Sequence, residues 1–77
     1  MIKIWVIYER PKDFPDQFVM REHHIKGGKN GGPNEVRPTE HFYTANSIAE
    51  LRRKVPAGKQ RIERIEGDEP QIVEWWF

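Results

Sequence analysis

Cysteine is absent from this 77-residue chain, so neither a disulfide framework nor a thiolate metal site can reinforce it, and nothing points to an oxidising compartment. Serine occurs only as Ser47, whose position before a helical stretch fits a cap better than a nucleophile beside a histidine. Charge of one sign is also scarce. Thirteen Lys and Arg stand against twelve Asp and Glu, a net +1, far from the basic balance of a dedicated nucleic-acid binder. Long apolar runs are missing: the stretch 2–8 is too short and too Trp-containing for a signal sequence and far below a membrane span. No internal repeat is visible. These absences lead to the expectation of one cytoplasmic domain over 1–77, without cofactor or membrane partner, whose stability comes from packing alone. Such a chain buries only about 60% of its unfolded surface.

The residues present alternate as strands do. Ile2, Ile4, Val6 and Tyr8 fall on one side and Lys3, Trp5 and Ile7 on the other, with β-branched and aromatic residues in both sets, as in an interior strand. Pro11 and Pro15 make 10–16 an extended loop, with Phe14 as its anchor to the core. A second strand is predicted over 18–26, a loop over the glycine-rich 27–34, and a third strand over 36–45, where Pro38 belongs on an edge or at a bulge. Ser47 and Glu50 have capping-box spacing ahead of the apolar stripe Ile48, Leu51 and Val55. A short helix therefore starts there and stops at Pro56-Ala57-Gly58, after about two and a half turns. Strands over 59–65 and 72–77 flank the turn 66–70.

The resulting fold class is α+β: a small, mainly antiparallel sheet of about five strands with one short helix, in the order β-β-β-α-β-β. An OB-like barrel is the alternative, since its helix also sits between the third and fourth strands. Both sheet faces carry apolar residues, yet one brief helix can shield only one of them. Either the loop 10–16 with Phe14 folds over the second face and no partner is needed, or an uncovered aromatic face is left as an interaction site. Trp5 and Ile7, with Trp75 or Trp76, are its expected anchors, and the partner is another protein or a second copy of the chain. In the barrel alternative, the sheet binds single-stranded nucleic acid, with Arg52, Arg53, Lys54 and Arg61 tracking phosphates.

Chemistry-bearing motifs are few. Lys29 is followed by Asn30 and no helix, which does not make a phosphate loop. The histidines His23, His24 and His41 with Glu22 and Glu40 are the one group resembling a metal or acid-base constellation. Adjacent strand histidines diverge, so at most one joins His41, and a third convergent ligand is lacking. A turn centred on Gly32-Pro33 would set His24 opposite His41, whereas other registers separate them. The reading is non-catalytic and metal-free, and an enzyme would need a pocket gathering His24, His41 and a carboxylate.

Two stretches carry a resemblance: Tyr8-Glu9-Arg10-Pro11-Lys12-Asp13-Phe14-Pro15-Asp16-Gln17-Phe18-Val19-Met20-Arg21, and Glu66-Gly67-Asp68-Glu69-Pro70-Gln71-Ile72-Val73-Glu74-Trp75. They resemble a family of small proteins of bacteria and their phages with no known activity, in which the glycine-rich stretch looks like an insertion. The resemblance brings no catalytic residue. It implies an accessory, phage-related context, in which small proteins often act by binding a macromolecule.

Overall fold

The computed structural model describes residues 2–27, 35–64 and 66–77. Its strands are β1 (Ile2–Glu9), β2 (Phe18–Lys26), β3 (Glu35–Ala45), β4 (Arg61–Glu63) and β5 (Ile72–Trp76), with helix α1 (Ile48–Arg52) between β3 and β4. The strands form one five-stranded sheet in the order β3-β2-β1-β5-β4, and every neighbouring pair is antiparallel. This is the α+β arrangement expected from the sequence. The barrel alternative is not what forms, because the sheet is open, with β3 and β4 as its two edges.

β1 holds the centre, which explains why both of its alternating sets are apolar: Ile4, Trp5, Val6 and Ile7 are all buried. The β1–β2 hairpin runs in regular register from Ile2↔Ile25 to Glu9↔Phe18. Its connection is closed by the amide of Arg10 on the Gln17 carbonyl, with turn bonds from Phe14 to Pro11 and from Gln17 to Phe14. Arg10 adopts a left-handed φ of 46°, unusual for a residue with a Cβ, where the chain leaves β1. Phe14 packs against Phe42 of β3, with ring centroids 5.4 Å apart, so it pins the loop to the edge strand and not, as expected, to a core cluster.

β3 is an edge strand, as Pro38 requires. Its pairing with β2 breaks between Arg21↔Phe42 and His23↔Pro38, so that Thr39, Glu40 and His41 share the space opposite Glu22. Three side-chain bonds pin this bulge. The Arg21 guanidinium donates to the Thr39 carbonyl (2.6 Å), the Thr39 hydroxyl donates to the Glu22 carbonyl (2.9 Å), and the His41 amide donates to the Thr39 hydroxyl (3.1 Å).

The helix is shorter than the apolar stripe suggests, five residues long. Ser47 caps it by accepting the Glu50 amide, and the Glu50 carboxylate returns to the Asn46 amide. At its other end the amides of Lys54 and Val55 turn back to the carbonyls of Leu51 and Arg52. This three-residue spacing tightens the chain and ends the α ladder just before Pro56. β4 is likewise reduced to three residues, extended only by a reciprocal backbone pair between Gln60 and Phe77. The glycine-rich loop expected over 27–34 falls, from residue 28 onward, outside the described residues.

α1 lies on one face only. Leu51 is wholly buried among Trp5, Ile7, Met20 and Ala45, with Phe18, Tyr43, Val55, Val73 and Trp76 packed around them. Burial of one such leucine is worth about 1.5–3 kcal/mol. A separate cluster of Ile4, Val6 and Ile72, flanked by Tyr8, Ile25 and Trp75, occupies the other face.

Candidate functional site: the open sheet face

One cross-strand row defines the face away from the helix. Phe42 pairs with Arg21, Arg21 with Val6, Val6 with Trp75 and Trp75 with Ile62, so one side chain from every strand lines up across the sheet. Among the described residues no helix covers this row. Its centre is sealed by its own large side chains, since Ile4 and Val6 are 1% and 0% exposed beneath Tyr8, Ile25 and Trp75. Toward the flanks the apolar groups are partly open, Phe42 beneath Phe14 and Arg21 included. Ile62 is 46% exposed, Phe77 41% and Phe42 37%, while Ile2 and Val36 remain exposed beside Ile25 at one end of the hairpins.

The β4–β5 flank of the face is indented. Ile62, Glu63, Asp68, Trp75 and Phe77 line a shallow cavity of about 260 Å³. The indole of Trp75 is oriented by its N–H, which donates to the Asp68 carboxylate (3.2 Å), and its ring lies 6.3 Å from that of Phe77. At the other flank the Arg21 guanidinium sits 4.7 Å over the Phe42 ring.

His23 belongs to this face and is buried. Its Nδ1 lies 3.3 Å from the Arg21 carbonyl, which can only accept, so Nδ1 carries the proton and Nε2 accepts from the Tyr8 hydroxyl at 3.3 Å. Burial pushes the His23 pKa below its ordinary value. Tyr8 moves the other way, raised by burial and then by the Glu69 charge. This pair is a satisfied core contact in the neutral state.

Two expected anchors prove to be elsewhere. Trp5, 5% exposed, and Ile7, 0% exposed, lie on the helix-covered face in contact with the Leu51 cluster. Alternation had separated them correctly from Ile4 and Val6, but it cannot tell which side a following helix will take. Trp75 and Trp76 diverge as expected: Trp75 faces the open side and Trp76 packs against the helix cluster. Ile62 and Phe77 were not singled out in the sequence, although each shares the parity of Val6 once the strands are aligned.

The basic group divides too. Arg52 grips the buried Glu74 carboxylate with two bonds, Nε at 3.1 Å and a terminal nitrogen at 2.6 Å, and Arg61 stands 3.9 Å from the same carboxylate. The Trp76 indole donates to it as well, at 2.6 Å. Burial alone would raise the Glu74 pKa, but the bonds from Arg52 and Trp76 and the two guanidinium charges outweigh it, and the net direction is down. Arg52 and Arg61 therefore serve an internal carboxylate, while Arg53 and Lys54 remain exposed, with Lys54 5.3 Å over the Tyr43 ring.

The histidines also differ from the simplest expectation. His24 stands opposite Arg37, not His41, yet both rings reach Glu22. Among the described residues no helix is long and apolar enough to cross a membrane. Comparison with protein-family models, with curated proteins and with solved structures finds no match to this chain, so the resemblance of its two end stretches rests on their motifs alone.

Proposed function

We propose that this protein is a small non-catalytic interaction module that docks a second copy of itself, sheet against sheet, through the open face. The observation that carries this reading is the apolar flank of exposed Ile62 and Phe77 beside half-buried Trp75, on a face with no helix above it among the described residues. Size supports it. Five strands about 4.8 Å apart and on average about seven residues long give a face of roughly 24 by 24 Å, and two such faces together remove about 1,150 Å². That area lies at the threshold of a specific interface and favours a dimer that forms and separates with concentration. A net charge of only +1 adds little long-range repulsion between copies.

Edge-to-edge association has less in its favour. The β3 edge carries Pro38, a pinned bulge and the alternating charges Glu35, Arg37 and Glu40, all of which discourage another strand. Nucleic-acid binding through Arg52, Arg53, Lys54 and Arg61 is weakened because two of the four already serve Glu74.

Sedimentation from micromolar to millimolar chain tests the proposal. The expected result is a shift from monomer to dimer that the single change Ile62→Lys abolishes, since a lysine there is solvated in the monomer but desolvated in the dimer. A strict monomer at millimolar concentration, or a dimer indifferent to Ile62→Lys and to Phe77→Lys, defeats it.

A further inference from the structure

His23 stands on the open face, opposite Ile4 of β1 and Pro38 of β3 and two residues along β2 from Arg21. It is 7% exposed. Both of its nitrogens are engaged in the neutral ring, since Nδ1 donates to the Arg21 carbonyl and Nε2 accepts from the Tyr8 hydroxyl. His24 and His41 belong to the other face, where they reach Glu22. We propose that His23 makes docking of a second copy sensitive to pH, its neutral ring permitting the two sheet faces to close and its protonated ring holding them apart. This switch rests on the docking reading above and adds its regulation.

The charges around the ring set the direction. On β2 itself the Arg21 guanidinium is a fixed cation, held toward β3 by the Thr39 carbonyl and the Phe42 ring. From β1 comes the neutral phenol of Tyr8, and from β3 the uncharged Pro38. Glu69, exposed ahead of β5, acts on Tyr8. Among the described residues no Asp or Glu is hydrogen-bonded or ion-paired to His23. A positive charge placed on the ring therefore meets a neighbouring cation and no carboxylate of its own. Burial, and then the Arg21 charge, accordingly hold the His23 pKa below its ordinary 6.5 against the opposing bond to the Arg21 carbonyl.

Hydrogen bonding adds a second reason. Once Nε2 carries a proton it can only donate, so the Tyr8 oxygen must turn to accept, and the phenol hydrogen is left without a partner among the described residues. In the monomer water takes that place, because Tyr8 is only half-buried. A second copy laid over the face excludes this water, so closing on a protonated ring strands both the imidazolium charge and the phenol hydrogen. Docking therefore selects the neutral ring and expels the proton.

Sedimentation of the whole chain over a dilution series, repeated from about pH 8 to about pH 5, tests the switch. The dimer dissociation constant should be level above pH 6.5 and climb below it, by as much as about a hundredfold per pH unit, because each dimer formed must release two protons. His23→Gln, neutral throughout, should remove the climb and keep the dimer. Histidine ring resonances of the unaltered protein give an answer that needs no variant: the midpoint of His23 proton uptake should fall as rising concentration carries the chain from monomer to dimer. The resonances of His24 and His41, on the far face, should ignore the dilution. A dimer whose constant stays level over the whole range, a climb that survives His23→Gln, or a His23 midpoint blind to concentration overturns the switch and leaves the docking reading standing. A chain that stays monomeric at every pH overturns both.

Discussion

The two faces of this sheet are built from similar apolar residues but completed differently. On the side of Trp5, Ile7 and Met20, the chain supplies its own lid: Leu51 descends from α1 and Arg52 ties the helix to Glu74. On the side of Ile4, Val6 and Ile72, sealing depends on Tyr8, Ile25 and Trp75 leaning over their neighbours, and the flanks stay partly open. The contrast teaches where stability and association should separate. Substitutions on the covered face should unfold the protein, and those at the open flank should change only what it binds.

The largest effect that tests this contrast is Leu51→Ala. Removing a side chain with 0% exposure from beneath the helix should cost about 2–5 kcal/mol in urea unfolding. Ile62→Ser, at 46% exposure, should stay within about 0.5 kcal/mol under conditions where the protein is monomeric. Comparable losses for the two variants would erase the distinction between the faces. Next in size is Arg52→Ala, which leaves the buried Glu74 carboxylate with Trp76 and the more distant Arg61. A loss of about 1–3 kcal/mol is expected, and Glu74→Gln in the same background should recover part of it by removing the uncompensated charge.

The smallest effect sharpens the comparison through pH. His23, on the open face, has a folded pKa below the ordinary 6.5, so the unfolded chain takes up its proton first as pH falls. Stability attributable to His23 is therefore present above pH 6.5 and lost as pH drops through the folded value. Glu74, on the covered face, is also shifted down, and its contribution is lost only below its ordinary 4.5. Acid titration of the unfolding midpoint should thus weaken the open-face contact before the helix clamp, and His23→Gln should flatten the earlier segment. Tyr8 contributes oppositely: its raised pKa protects the fold up to pH 10.0 and is lost as pH rises beyond it.

Much of this architecture is legible in the residues. Alternation in 2–8 marks β1 as interior, the Ser47–Glu50 spacing places the start of α1, and Pro38 assigns β3 to an edge. What escapes the sequence is handedness and register. Trp5 and Ile7 separate from Ile4 and Val6 by parity, but which set α1 covers depends on how the chain turns after Ala45. The approach of His41 to Glu22 depends on a bulge of irregular pairing that no periodicity encodes. Glu74 reads as part of an acidic end, and only the length of Arg52 lying across β5 makes it a buried anchor.

The strand order has a consequence for how the molecule comes together. β1, β2 and β3 can pair as a meander from local sequence, yet one side of β1 finds its neighbour only in β5, with Trp5 meeting Trp76 across nearly the whole chain. Until that last segment arrives, the greasiest strand is a raw border with open amides, the kind of border on which chains stick to one another. Clipping the chain before Ile72 should therefore yield insoluble aggregate rather than a smaller soluble sheet.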